Sequence, residues 1–391
     1  MRKVFIIGGL GHIGLTLAAV LSKHYKVVLF DINDRAIDEF KINHKATFYE
    51  PGLNELLLKN AKNIEIAHKF EEIKDCNYVI ATVGTYTDAY LNPVLKHVFY
   101  LFKQLSTILT NQTVILRSTM YPGMTKKLEK LFKNSNVKLA FCPERVQSGN
   151  MVKELQTLPQ IISANSDKAL QSASDLFAPL KLKQKLLKDT TAGELAKLMT
   201  NAYRYVEFSI ANQFFEMALD ANCNFYEIFD VITDGYPRLE NLPRPGFSGG
   251  SCIRKDTMQL AAWYNGPTFS LGHNASVINE GVPLFVFRKM RKKYKNLDKK
   301  VIGILGMAFK PGCDDTRDSL SYRLKHILEN EVKEVLCTDP YVKSIQFISI
   351  DELLEKSDII ILATPHEQYK NIETDKPVVD IWNFLGKGIG I

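Results

Sequence analysis

The segment "KVFIIGGLGHIGLTLAAV" (3–20) constrains this chain more than any other. An apolar run reaches Gly9, Gly11 and Gly14, and an apolar helical pattern follows at once. In a G-x-G-x-x-G between strand and helix, the first glycine makes the tight turn. The second lets a pyrophosphate approach the main chain, and the third lets helix and strand pack closely. The helix start then turns its positive end toward the phosphate charge. A second strand, "KVVLFDIN", carries Asp31 17 residues after Gly14. A carboxylate there binds both ribose hydroxyls and repels a 2′-phosphate, so the loop reads as a site for NAD rather than NADP. The bland alternative is a glycine turn with a surface aspartate.

Further strands are expected at "NYVIATVG", "TVILRST", "AFCPER" and "QIISAN", with helical patterns between the earlier ones. That alternation implies a parallel sheet with helices on both faces. Near residue 190 the texture changes. One long helix is expected from about 192 to 222, without Pro and with Gly193 as its only glycine. A second helical stretch runs over about 255–292, interrupted near "NGPTFS". "KKVIGILGMAF" then starts a smaller α/β unit, continued by "EVLCTDP", "DIIILATP" and "PVVDIW". The fold class expected is α/β, with two Rossmann-like domains joined by a central domain built on a long helix. The expected boundaries are 1–188, 189–292 and 293–391 in a chain of 391 residues, more than one core usually serves. The two α/β ends resemble each other in plan.

Composition narrows the class. The chain is 46% hydrophobic and 24% charged, with no uninterrupted apolar window of membrane-spanning length. Glycines break the apolar N-terminus, which argues against a secretory signal. The six cysteines are scattered without C-x-x-C spacing, so neither a zinc site nor a disulfide framework is expected, and no other metal. Free thiols fit a reducing, cytoplasmic location. The net charge of +7 is spread along the chain. It suits an anionic small molecule better than a nucleic acid or a membrane surface, although a merely soluble surface explains it as well.

Two stretches carry candidate chemistry. Lys197, Asn201 and Arg204 fall on one face of the expected long helix. A solvated stripe explains such a face without function. The neighbours Leu195, Leu198, Met199 and Ala202 instead suggest a packed helix, whose polar groups need partners. The second stretch is "GFSGGSCIRKD" (246–256). Cys252 reads either as a small buried hydrophobe or as a nucleophile. Gly249, Gly250 and Ser251 remove bulk before it, and Asp256 stands one turn later on a helix starting there. On the second reading the glycines clear space for a substrate carbon beside the sulfur, and Lys197 supplies a cation.

These residues carry a resemblance to the nucleotide-sugar 6-dehydrogenases, the group that oxidises UDP-glucose, GDP-mannose and UDP-N-acetylhexosamines. The match runs in order through "GGLGHIGL", "YEPGL" (49–53), "VGTYTD" (83–88), "RSTMYPGMT" (117–125), "CPERV" (142–146), "ELAKLMTNAYR" (194–204), "GGSCIRKD" and "GMAFKPGCDDTRDS" (306–319). The resemblance implies NAD as cofactor, held by Gly9, Gly11, His12, Ile13, Gly14, Asp31, Arg35, Val83, Gly84, Thr85, Ser118, Thr119 and Arg317. It implies a UDP-sugar substrate held by Glu144, Arg145, Val146, Lys197, Asn201, Arg204, Arg238, Phe247, Gly249 and Lys310. It implies catalysis by Cys252, Lys197, Asn201, Asp256, Glu144 and Thr119, and pairing of two chains into a homodimer. Tyr86 and Arg254 stand where the family usually has proline.

The implied reaction oxidises a sugar C6 alcohol twice, through a thiohemiacetal and a thioester on Cys252. Lys197 and Asn201 steady the oxyanions, Asp256 assists proton removal through a water held with Thr119, and Glu144 is the base for hydrolysis. "CPERV", "NAYRYVEFSIAN" and "YPRLENL" resemble the N-acetylhexosamine branch, to which Arg204 belongs; "GGSC" followed by "KDT" resembles the glucose branch. The loop "GYPRLENLPRPG" (235–246) is expected over the sugar, with Arg238 reaching substrate or a neighbouring subunit, or simply lying on the surface. Two rivals are a single-step β-hydroxyacid dehydrogenase and a non-catalytic NAD-sensing protein. The first needs neither the cysteine nor a second α/β domain, and the second would lack the chemical residues, which are all present.

Overall fold

The structure is a computed structural model that describes residues 1–88, 92–264 and 269–391. It divides into two compact units: Met1–Thr200 with Met258–Asn265, and Asn201–Thr257 with Gly266–Ile391.

The first unit is built on eight strands: β1 (Lys3–Ile7), β2 (Lys26–Phe30), β3 (Ile64–Ile66), β4 (Tyr78–Ala81), β7 (Thr113–Leu116), β8 (Lys138–Phe141), β9 (Gln160–Ala164) and β10 (Gln184–Leu187). A separate antiparallel ribbon pairs β5 (Tyr86–Thr87) with β6 (Pro93–Val94). The sheet order is β10-β9-β8-β7-β4-β1-β2-β3. From β3 to β8 this is the doubly wound dinucleotide order, in which ligands sit outside the strand ends where the order reverses.

Alternate residues of each strand face opposite ways. Val4, Ile6, Ile80 and Ile115 join one apolar cluster with Leu17 and Leu21 of the first helix. Phe5, Ile7, Val79 and Val114 join another with Val98, Phe102 and Leu105. Helices therefore cover both faces, as the alternation of strand and helix implied. One departure is local. The connection from β8 to β9 carries only the short helix Met151–Glu154, too little for a parallel crossover, and β9 runs antiparallel to β8. Neither β3, of three residues, nor the half-exposed β10 has the long apolar run that announces a strand.

The second unit carries β11 (Val301–Leu305), β12 (Glu334–Thr338), β13 (Ile359–Leu362) and β14 (Val378–Val379), all parallel in the order β12-β11-β13-β14. It also holds most of the long helix Thr190–Asp220 and the helix Ser270–Lys293. The expected middle region also holds the helices Phe225–Thr233 and Ser251–Trp263. Residues 265–268 of the expected interruption lie outside the described residues, as does the Ser251 side chain. Two fully buried asparagines join the helices of this unit. Asn212 Nδ2 donates to Asn279 Oδ1 over 2.8 Å, and Asn279 Nδ2 donates to the Tyr205 carbonyl over 3.0 Å. Among the described residues no helix is long and apolar enough to cross a membrane.

The plan shared by the two ends extends to individual bonds. Gly8 and Gly306 follow β1 and β11 with φ of +75° and +92°. Thr82 and Thr364 stand against them after β4 and β13. Asp31 and Asp339 follow β2 and β12, and each carboxylate accepts from the main chain of the loop opposite, at Leu10 in one case and at Met307 and Ala308 in the other.

Candidate active site

In the first unit the glycine loop opens the helix His12–Leu21, whose N-cap is Gly11 and whose first turn carries no acidic residue and no side-chain cap. The first N–H groups of that helix are thus left for an anion. The three glycines have different neighbours. A methyl on Gly14 would overlap the Gly8 carbonyl oxygen, and one on Gly9 would stand 2.9 Å from the Ile6 carbonyl oxygen and 3.0 Å from Leu29. A methyl on Gly11 would meet only the Gly8 carbonyl oxygen, at 3.5 Å. The protein therefore requires glycine at 9 and 14 for its own packing, and leaves the space at 11 for a ligand. This fits a dinucleotide pyrophosphate.

Asp31 Oδ2 accepts the Leu10 N–H over 3.0 Å, which places its carboxylate beside the glycine loop. Thr82 Oγ1 donates to the Ile7 and Gly8 carbonyls, at 2.9 and 3.0 Å, so Val83, Gly84 and Thr85 leave the sheet beside the same loop. Ser118 joins them: its N–H and its Oγ both donate to the Ala81 carbonyl over 3.3 Å. His12 stacks on Phe48 with ring centroids 4.0 Å apart, and Ile13 is half-buried in the same turn. Arg35 turns outward, 88% exposed and paired with Glu39. Tyr86, the departure from the family pattern, stacks on His97 at 4.8 Å, and His97 Nε2 lies 2.6 Å from the Gly84 carbonyl. An aromatic clamp holds this turn in place of a proline.

Glu144 lies at the end of β8 and is almost wholly buried. Its Oε2 accepts from Arg117 Nη2 at 2.5 Å, and its Oε1 accepts the N–H groups of Arg145 and Val146 at 2.5 and 2.6 Å. Arg117 also donates to the Cys142 carbonyl and to Gln160 Oε1, and its guanidinium lies over the Phe177 ring. The Arg145 side chain is held at the Pro159 carbonyl by a 2.6 Å bond. Thr119 is half-buried two residues beyond Arg117. Lys197 is buried on the long helix. One turn before it, buried Glu194 accepts the Gly123 and Thr125 N–H groups and the Thr125 hydroxyl, so the turn after Thr119 is fastened to that helix. Burial pushes the Glu194 carboxyl above its ordinary pKa, against the opposing pull of these bonds.

In the second unit Cys252 stands in the first turn of its helix, exposed, and Asp256 stands four residues on, 1% exposed. Asn201 Nδ2 donates to Asp256 Oδ2 at 2.6 Å, and Lys255 Nζ lies 3.1 Å from Oδ1. Asn201 and Asp256, 55 residues apart in sequence, thus meet. Arg317 is in electrostatic range of Cys252 and is fixed by Asp315, whose carboxylate takes its Nε at 2.9 Å and its Nη2 at 2.6 Å. Arg254, at the other family departure, reaches Ser276 and Glu280.

The role expected for the glycines before Cys252 is corrected. A methyl on Gly249 would lie 2.6 Å from the Asp318 carbonyl oxygen, and one on Gly250 would lie 2.6 Å from the Phe309 ring. Gly250 also has a φ of +102° and donates its N–H to Asp318 over 3.1 Å. The space cleared by these glycines is filled by the 306–319 segment, not left for a substrate carbon. Phe247 is buried in the core of this unit, so its main chain rather than its ring is what a ligand could touch. Arg204 is half-buried on the long helix. Arg238 is exposed and stacks on Tyr236, with its carbon 5.3 Å from the ring centroid. Lys310 follows Phe309 in the segment that packs on Gly250.

Arg117, Glu194, Phe309 and Asp318 escaped the reading of the sequence. Arg117 and Glu194 leave a trace there: each is a lone charge in a run that is otherwise apolar or small. Phe309 and Asp318 leave none, because their importance lies in what they touch.

Comparison with known proteins supplies the context. Three family models match: the NAD binding domain of the UDP-glucose/GDP-mannose dehydrogenase family over residues 2–181, its central domain over 191–280 and its UDP binding domain over 303–387. A UDP-N-acetyl-D-mannosamine dehydrogenase of Pyrococcus horikoshii is 31% identical, covering 97% of this chain and 92% of that protein. One from Methanocaldococcus jannaschii is 30% identical, over 99% and 90% of the two chains. The solved structure of a UDP-D-ManNAc dehydrogenase from Pyrococcus horikoshii superposes with a TM-score of 0.90 at 30% identity, over 100% of this chain and 99% of the other. A UDP-glucose dehydrogenase from Pyrobaculum islandicum, at 22% identity and TM-score 0.88 over 97% and 94% of the two chains, shares the fold.

The glycine geometry separates two substitutions. Gly14→Ala overpacks the loop and should lower the thermal midpoint of the ligand-free protein, by an amount corresponding to about 1–3 kcal/mol. Gly11→Ala should leave that midpoint near the parent's and abolish most of the stabilisation conferred by added NAD. Differential scanning fluorimetry with and without NAD reads both.

Proposed function

Since this chain belongs to the UDP-glucose/GDP-mannose dehydrogenase family, whose members are NAD-dependent UDP-sugar dehydrogenases, we propose that it oxidises the C6 hydroxyl of a UDP-N-acetylhexosamine twice, to the uronic acid. The observation that carries the reaction is the buried Asp256 carboxylate, one helical turn from Cys252 and bonded to Asn201. The choice of an N-acetylated sugar rests on Arg204 and on the relatives at 30–31% identity, which are UDP-N-acetyl-D-mannosamine dehydrogenases.

NAD, when bound, accepts the two electrons of each oxidation. The protein's part is to handle protons and to supply a nucleophile. Asp256, oriented by Asn201 and Lys255, receives the alcohol proton through a water shared with Thr119. The resulting aldehyde keeps one C–H, which can leave as hydride only after a nucleophile adds to the carbon. The exposed Cys252 thiol gives its proton to solvent, its sulfur bonds to that carbon, and the carbonyl electrons move onto oxygen as an alkoxide, which Lys197 and Asn201 stabilise. Oxidation of this thiohemiacetal leaves a thioester. Water then attacks the acyl carbon, the carbon–sulfur bond breaks, and the thiol and a carboxylate are released. Glu144 is the base for that water. Three of its roughly four acceptor positions are occupied by Arg117 and two N–H groups, and the remaining one on Oε2 receives the water.

The expected division at 1–188, 189–292 and 293–391 is retained as a division of labour between cofactor, chemistry and nucleotide sugar, supported by the three separate family matches. The six free thiols support a cytoplasmic location. The partner proposed is a second copy of the chain, seated on the long helix. There Tyr203, Ile210, Phe214 and Met217 are 66%, 41%, 44% and 58% exposed along one stripe. A single helical stripe can meet its own copy about a two-fold axis.

Two measurements test this reading. In a screen of UDP-ManNAc, UDP-GlcNAc, UDP-GalNAc, UDP-glucose and GDP-mannose, an N-acetylated UDP-sugar should give about two NADH per sugar consumed. Arg204→Ala should weaken its use at least tenfold more than that of UDP-glucose. One NADH per sugar, or turnover of UDP-glucose alone, rejects the proposal. For the assembly, light scattering after gel filtration should give twice the chain mass for the parent and the single mass for Phe214→Glu. A monomeric parent rejects the dimer.

A further inference from the structure

The two α/β halves diverge at one matched position. Thr82 and Thr364 occupy corresponding places, and two residues beyond each the chain carries Gly84 and His366. Gly84 is exposed, and a side chain built on it would meet nothing within 4 Å. His366 is wholly buried. Its Nε2 lies 3.1 Å from Asp339 Oδ2, and both side chains are 0% exposed. Its Nδ1 accepts the Gly312 N–H over 3.2 Å. The acceptor role of Nδ1 puts the ring proton on Nε2, which donates to Asp339.

Asp339 is fully committed. Its Oδ2 also accepts the Met307 and Ala308 N–H groups at 2.7 and 2.9 Å, and its Oδ1 accepts those of Tyr341 and Val342 at 2.9 and 3.0 Å. Burial works to raise its pKa, yet these bonds and His366 hold it down at about 2. The Tyr341 and Tyr369 rings close over the imidazole, with centroids 5.2 and 5.7 Å away. In the first half the matching carboxylate, Asp31, is left partly open for a ribose. In the second half His366 seals that place and turns the same architecture to another use.

We propose that His366 is a positioning residue for substrate, anchoring through Gly312 the loop that presents Lys310. The inference rests on the reading of Lys310 as a group that holds the nucleotide sugar. Lys310 is confined between two tethers. On one side Thr364 Oγ1 donates to the Ala308 carbonyl at 2.7 Å, and on the other Gly312 is bonded to His366. Cys313, buried, gives a further contact from its Sγ to the Lys310 carbonyl at 3.3 Å. Gly312 has a φ of +71°, and a Cβ there would meet nothing within 4 Å, so no side-chain packing holds the turn at this residue and its N–H is held by His366. Loss of that acceptor frees the turn carrying Lys310 and leaves the first unit's cofactor loop untouched in sequence and structure.

The test compares His366→Asn with His366→Gln in the full-length protein. Asn places an oxygen where Nδ1 was and keeps an acceptor for Gly312. Gln places its polar end near Nε2 and loses that acceptor. The probes are UDP affinity by calorimetry, NAD affinity, and hydrogen exchange at the Gly312 amide. Gln should weaken UDP about tenfold and accelerate exchange, Asn should keep both within about twofold of the parent, and NAD affinity should be unchanged in both. UDP affinity and exchange in the Gln variant equal to the parent's overturn the proposal. Equal losses in both variants also overturn it, because the ring would then only fill space. A parent that binds no UDP overturns the reading of Lys310 instead, and exchange at Gly312 then decides on the anchor alone.

Discussion

The hydrogen bond from Asn201 to Asp256 is the contact on which the proposed chemistry of the second unit depends. It joins the long helix to the start of the helix that bears Cys252, and it does so inside the protein, where a bare carboxylate would be expensive to keep. Asp256 is oriented by that bond and by Lys255, and its distance from Cys252 is then set by one turn of helix. Lys197 and Arg204 share the long helix with Asn201. A helix of this length, packed along much of its course, is a stiff ruler for such groups.

A second constraint is steric. Gly249 and Gly250 let the 306–319 segment come into main-chain contact just ahead of Cys252. Any side chain at either position would push Phe309 or Asp318 away and move Arg317 with them. The segment proposed to hold the nucleotide sugar is therefore fitted against the two glycines that lead into the helix of the proposed nucleophile. The duplicated architecture explains why one chain can serve two ligands of related chemistry. The first half keeps the Asp31 carboxylate, proposed for a ribose, partly exposed, while the second closes the matching place with the His366 imidazole.

The sequence made the fold legible where periodicity and glycine spacing speak together. Both α/β ends, their likeness, and the long helix to within two residues at either end were all readable. β3, β10 and the antiparallel turn of β9 were not, because short or edge strands carry no apolar run of their own. Chemical residue types were readable as well, and the resemblance supplied their roles. Their partners were hidden. Nothing in the string links Arg117 to Glu144, Glu194 to Thr125 or His366 to Gly312, since each pairing is a product of how distant strands end side by side. The glycines before Cys252 misled for the same reason: a sequence reveals that space has been cleared, and only the fold reveals what fills it.

The central claim is that Cys252 forms a covalent acyl intermediate. Serine is close in size, so Cys252→Ser should preserve the pocket, but its hydroxyl is a far poorer nucleophile near neutral pH and any ester it forms hydrolyses more slowly than a thioester. Intact-protein mass spectrometry of this variant, after incubation with an accepted UDP-sugar and NAD, is the most direct measurement. The account predicts either unmodified protein with aldehyde in solution, or a stable adduct of one oxidised nucleotide sugar mapping to residue 252. A variant that turns over at near-parental rate, with two NADH per sugar and no adduct, would contradict it.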